Sequence, residues 1–178
     1  SKNLVVVPPV AASATGPVTD MASYQTGAGL LSSAAGVVTN LETPNSTQFS
    51  FSYNLPAGSL NYGGGILTFG NGNPLPDLTS ENLIFDVSGV GTIKVSVSDD
   101  VPTGRVNPDG SAQYRSVSLM FTGITGTNKF VVISKADLLK ANPNFHVNAI
   151  TSVSFIVDKN VLLPVSGGVT VKSRNLVV

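Results

Sequence analysis

Thr47–Leu55 reads TQFSFSYNL, and the alternation inside it decides the fold class. Phe49, Phe51, Tyr53 and Leu55 share one parity while Ser50, Ser52 and Asn54 share the other, the period of two made by a strand with one buried and one wet face. The pattern recurs outward along the chain. Ile93, Val95 and Val97 alternate with Lys94, Ser96 and Ser98; Val117, Leu119 and Phe121 alternate within Gln113–Thr122; Val153, Phe155 and Val157 alternate within Thr151–Asp158. Further strands are expected at Leu60–Phe69, at Asn128–Ile133 and from Val169 onward, and Glu81–Val87 is expected to pair with Gly91–Ser98 across Ser88–Val90. Ser134, with Asp137 three residues on, resembles a capping box, so one or two helical turns are expected over Lys135–Lys140. Asp99–Gly110, DDVPTGRVNPDG, reads as a hydrophilic loop with strong turn chemistry. About eight to ten short strands with almost no helix predict an all-β chain, a two-sheet antiparallel β-sandwich with a jelly roll as its natural topology.

The ends echo one another. Ser1–Val6 is SKNLVV and Ser173–Val178 is SRNLVV, with Lys2 against Arg174 the one difference. Residues 1–9 are expected to form a strand and a linker stiffened by Pro8 and Pro9, and residues 10–178 a single sandwich domain. The echo suggests one unit of a tandem array, or a strand offered to a neighbouring copy. Between Val10 and Thr39 the chain is mostly small and uncharged and is expected at an edge, as a loose lead-in or a strand pair around Met21–Leu31. In LNYGGGILTF (Leu60–Phe69) the three glycines point to a bulge or to a close approach of something else to the backbone. A second bulge near Arg174 or Asn175 would account for the parity change toward Leu176 and Val178.

Composition removes several functions. Ten basic and ten acidic residues cancel and are scattered through the 178, which leaves no electrostatic footprint for nucleic acid or an anionic membrane. There is no Cys and a single His, His146, so disulfides, thiolate chemistry and a histidine metal cluster drop out. No apolar run approaches bilayer length, and no membrane insertion is expected. Charged residues make up only 11% of the chain, so its surface must be hydroxyl and amide, which fits an extracellular or cell-surface location. Asn45-Ser46-Thr47 is formally a glycosylation sequon.

The order of several phrases carries a resemblance. LNYGGGILTFG, DLTSENLIFDVSG, TIKVSVSD, ITSVSFIVD and GGVTVKSRNLVV resemble, in patches over residues 49–178, the galactose-binding-like jelly rolls that include many carbohydrate-binding modules. The resemblance implies the sandwich fold and glycan binding without catalysis. One departure concerns calcium. Where such modules often carry an Asp in the closing strand, this chain has Arg174 before Asn175, and Asp20 alone supplies too few oxygens, so neither a metal nor any other cofactor is expected.

Stacking of sugar rings needs exposed aromatics, and Trp is absent. The aromatics outside the obvious core are Tyr24, Tyr62 and Tyr114, with Asn61, Arg105, Gln113 and Arg115 as polar companions. Tyr62 stands beside the glycines and Tyr114 on the parity opposite Val117; each could equally be a cross-strand support of the sheet. Gln113 and Arg115 share the core parity, which puts Arg115 at the strand's open end or in a groove. Asp99 and Asp100 read as strand-end or turn acids, His146 as a loop residue, and no nucleophile elbow is present, so no enzyme is expected. Two readings follow: a secreted, non-catalytic carbohydrate-binding module whose partner is a glycan or polysaccharide, or a structural or adhesive subunit of an extracellular filament or surface array that joins copies of itself through Ser1–Pro9.

Overall fold

A computed structural model describes residues 4–8, 10–11, 25–32, 37–45, 47–55, 61–70, 72, 74–126, 129–158 and 166–173. Two six-stranded sheets form a sandwich. The first has the order β1 (Val5–Val7), β9 (Ala112–Phe121), β8 (Ile93–Val106), β11 (Ser152–Asp158), β6 (Tyr62–Phe69), β3 (Gln25–Ser32). The second has the order β2 (Val10–Ala11), β10 (Lys129–Ile133), β7 (Leu83–Ser88), β12 (Ser166–Ser173), β5 (Gln48–Asn54), β4 (Val38–Asn45). Successive strands pass repeatedly between the sheets, as in a jelly roll, and among the described residues every pairing is antiparallel except β1 on β9. No helix of the described residues is long and apolar enough to cross a membrane.

The alternating residues face inward as their spacing requires. Phe155 of the first sheet wedges between Phe49 and Phe85 of the second, with ring centroids 5.9 Å and 5.0 Å away. Around them Val95, Val97, Leu119, Val153 and Val171 are buried almost completely. Space for Phe49 comes from a glycine. A Cβ at Gly65 would sit 2.1 Å from Phe49 Cε2, and one at Gly64 would sit 1.9 Å from the Phe155 carbonyl oxygen. The β6–β11 register is unbroken through this stretch, so close approach, not a bulge, explains the glycines.

The short helix α1 (Lys135–Ala141) begins as its sequence implies, with the Ser134 side chain accepting from the Asp137 backbone N–H at 3.2 Å. The weakly patterned early segment supplies edges, β3 to one sheet and β4 to the other.

Three expectations are corrected. Val5 and Val7 are core residues, and Val5–Val7 runs parallel to Leu119–Phe121 of its own chain, which leaves the strand-exchange reading without support. Val5–Val7 lies at the edge of the first sheet, and Val10–Ala11 pairs with Lys129–Phe130 in the second. Glu81–Val87 and Gly91–Ser98 do not pair, because β7 and β8 lie in different sheets. Asp99–Gly110 is not a loop: β8 continues to Val106, with register shifts on either side of Pro102, and pairs with the start of β9 as a projecting hairpin arm that turns at residues 107–111. The proposed bulge at Arg174 or Asn175 and most of the terminal echo lie outside the described residues.

Gly65→Ala is expected to destabilise the domain by about 1–3 kcal/mol through overpacking against Phe49. Gly29→Ala, whose Cβ would meet Ile66 at an ordinary 3.5 Å, should leave stability within about 0.5 kcal/mol. Urea unfolding midpoints at constant slope read both, and equal midpoints for the two variants would contradict the packing account.

Candidate functional site

Because the odd positions of Ile93–Asp99, Val117–Phe121 and Val153–Val157 point into the core, the even positions beside them form the outer face of the first sheet. The register aligns Ser118, Ser96 and Ser154 with Ile66 in one row, and Ser116, Ser98 and Ser152 with Thr68 in the next. Six serines therefore floor the central strands. From β6 to β9 this floor crosses three strand intervals, about 14 Å at the usual spacing.

The hairpin arm rises beside it. Thr103 Oγ1 donates to the Gln113 carbonyl at 3.1 Å, Gln113 Nε2 donates to the Val106 carbonyl at 3.3 Å, and Asn107 Nδ2 donates to Ser111 Oγ at 2.9 Å, which stiffens a limb exposed to solvent. Between arm and floor lies a groove of about 740 Å³, bounded by Tyr62 and Ile66 on one side and by Asn107–Asp109, Gln113 and Tyr114 on the other. A second cavity of about 490 Å³ shares Gln113, Tyr114 and Ser116 with it and is lined further by Arg105, Arg115 and the end of α1 at Ala141 and Asn142. Tyr62 and Tyr114 are 46% and 45% exposed, enough to present a ring face while each is anchored in a strand. Asp158, opposite Tyr62 in the register, is paired with Lys94 at 2.5 Å.

Asp99 fixes the base of the arm. Its side chain is wholly buried, and its Oδ2 accepts from Arg115 Nε at 2.8 Å, from Arg115 Nη2, and from the His146 backbone N–H at 2.9 Å. Its Oδ1 accepts from the Val101 N–H at 3.0 Å, and its own carbonyl takes the Thr151 hydroxyl at 3.0 Å. Arg115 also lies over the Phe145 ring, 5.8 Å from its centroid. A buried carboxylate is tolerated only with such full pairing. One acid thus ties β8, β9 and the 145–151 segment together. Across the turn, the Asp109 carboxyl is held below its ordinary value by hydrogen bonds from the Ser111 hydroxyl and N–H, so it stays ionised at neutral pH.

Of the residues singled out from sequence, Tyr62 lines the first of these cavities, Arg105 and Arg115 the second, and Gln113 and Tyr114 both. Asn61 is half-buried just before β6 and does not line it, and Tyr24 lies outside the described residues. Gln113 braces the arm and Arg115 holds Asp99, roles the sequence did not reveal. The serine floor and Asp99 were missed. The signal for the floor was the shared wet parity of Ser96, Ser98, Ser116, Ser118, Ser152 and Ser154; that for Asp99 was its place on the parity of Ile93, Val95 and Val97. His146 sits outside the groove with its ring Nδ1 2.8 Å from Asp100 Oδ1, both side chains half-exposed. No group of three or more His, Asp or Glu able to hold a metal occurs among the described residues, and Asp20 lies beyond them.

No protein-family model and no curated protein matches the sequence. Among solved structures the chain is similar to a family 11 carbohydrate-binding module from Clostridium thermocellum in complex with a β-1,3-1,4-mixed-linked tetrasaccharide, with TM-score 0.57, 15% identity, and coverage of 85% of this chain and 89% of the module. A family 30 carbohydrate-binding module of a cellulosomal cellulase from the same organism gives TM-score 0.49 and 17% identity over 95% and 92% of the two chains. The xyloglucanase domain of a Sinorhizobium fredii type three effector gives 0.42 and 10% identity over 85% and 98%. At such identities the first likeness establishes the fold, the β-sandwich of a carbohydrate-binding module.

Asp99→Asn removes the charge that balances Arg115 inside the structure. A loss of about 2–4 kcal/mol is expected, less than for a fully enclosed pair because Arg115 reaches solvent. Denaturant unfolding measures it; wild-type stability in the variant would show that Asp99 does not organise the site.

Proposed function

We propose that this chain is a secreted, non-catalytic carbohydrate-binding module whose ligand lies in the groove on the outer face of the first sheet. The observation that carries this reading is the pairing of two half-exposed tyrosines with a floor of serine hydroxyls. Pyranose rings offer an apolar C–H face and a rim of hydroxyls. Tyr62 and Tyr114 suit the former, and the serines, Gln113 and Asn142 suit the latter.

Rigid strands hold both tyrosines, so little ordering opposes binding. The family 11 module, which shares the fold, is in complex with a tetrasaccharide, and this adds support for a glycan as the ligand class here. A surface poor in charge and rich in hydroxyls fits display outside the cell. Passive binding also fits the distribution of acids: Asp99 is consumed by Arg115, Asp158 by Lys94, and Asp109 by its own turn, which leaves the floor without an acid and base facing one another.

Tyr62→Ala and Tyr114→Ala are each expected to weaken retention of the chain in glycan-containing gels at least about fivefold while leaving its melting temperature unchanged. Ser52→Ala, on the outer face of the other sheet, should migrate as wild type. Retention that survives both tyrosine substitutions, or no retention across a panel of soluble plant and microbial polysaccharides, would remove the proposal.

A further inference from the structure

The groove is electrically lopsided, although the chain as a whole carries no net charge. Its β9 end is lined by Thr103, Arg105, Gln113, Tyr114, Arg115 and Asn142, with no carboxylate among the lining residues. The adjoining cavity over the serine floor is lined by one carboxylate, Asp109, which remains charged at neutral pH. The two arginines contribute differently. Arg115 is balanced by Asp99, which grips the Nε and Nη2 side of the guanidinium and so fixes the plane in which Nη1 faces away from it. Arg105 is exposed, sits on the stiffened arm, and pairs with no carboxylate among the described residues. One group therefore supplies a preoriented donor and the other an unbalanced positive charge, and both border one cavity. A neutral sugar's hydroxyls accept from such a donor but leave the charge of Arg105 unmatched. A planar carboxylate uses both, since guanidinium and carboxylate match in shape and charge.

We infer that the groove takes an acidic glycan, with a uronate carboxylate at the Arg105 and Arg115 end and its neutral hydroxyls along the serine floor. This rests on the groove being the glycan site, and it adds the chemical class of the ligand. A sulfated glycan carries a similar charge on a tetrahedral group, and the test separates the two.

Affinity electrophoresis of the full chain is run against polygalacturonate, alginate and glucuronoxylan, against the same polymers after reduction of their carboxyls to alcohols, and against a sulfated galactan and neutral mixed-linked β-glucan. At least one polyuronate is expected to retard the chain about tenfold more strongly than its reduced form. Arg105→Gln should weaken that retardation roughly threefold or more, whereas Lys129→Gln, which removes the same charge from the other sheet, should not. Equal binding of acidic and reduced polymers, unaffected by Arg105→Gln but lost in Tyr62→Ala, overturns the acidic-ligand inference and leaves the groove standing. Preference for the sulfated galactan overturns the assignment to a carboxylate, and equal losses from Arg105→Gln and Lys129→Gln reduce the binding to diffuse charge and overturn it too. Absence of any tyrosine-dependent retardation overturns both the inference and the groove.

Discussion

The buried pair between Asp99 and Arg115 is the constraint on which the site depends. Up to Val97, β8 is a core strand whose inward residues are apolar; at Asp99 the sandwich ends, and the next inward position meets a carboxylate instead of a hydrocarbon. Arg115 occupies the matching place on β9. The two close the end of the core with a charge-assisted contact, and beyond them the same strands leave the sandwich as the hairpin arm. The His146 and Val101 backbone donors complete the carboxylate, so the arm's base cannot swing without stranding a charge. The groove exists because the arm stands where it does.

The floor beneath the arm follows from the core by exclusion. Phe155 must wedge between Phe49 and Phe85, and Val95, Val97, Val117 and Leu119 must pack around them, which commits the odd residues of Ile93–Asp99, Val117–Phe121 and Val153–Val157 to the interior. The even positions are then free of the packing problem and hold serines that strand adjacency assembles into rows. Gly65 has the complementary task, since only an absent side chain admits the Phe49 ring. Core and serine-lined outer face are two readings of a single alternation.

This also explains how far the sequence could be read. Alternation in Gln48–Asn54, Ile93–Ser98 and Ser152–Asp158 declared the strands and the two-sheet sandwich, and Ser134 with Asp137 declared the helix, because those signals are local. Tyr62 and Tyr114 were visible from their neighbours and parity. Strand partners were not, since whether β7 lies beside β8 or β12 depends on contacts far apart in the chain. The arm was read as a loop because Pro102, Gly104 and the Asn107–Gly110 turn mask a strand that projects into water and so needs no apolar alternation. Asp99 looked like a strand-end acid, and its burial emerges only when Arg115 arrives from β9. Val5–Val7 was equally ambiguous: an apolar terminal strand can serve its own domain or another, and here it packs against its own.

The most direct measurement is the map of amide shifts when the isotopically labelled chain is titrated with oligogalacturonate and with a neutral gluco-oligosaccharide. If the outer face of the first sheet is the binding surface, the largest changes fall on Tyr62, Ile66, Ser96, Ser98, Ser116 and Ser154 and on the arm from Thr103 to Tyr114. Changes centred instead on Ser50, Ser52 and Thr170, across the sandwich, or no changes with either sugar, would contradict the account.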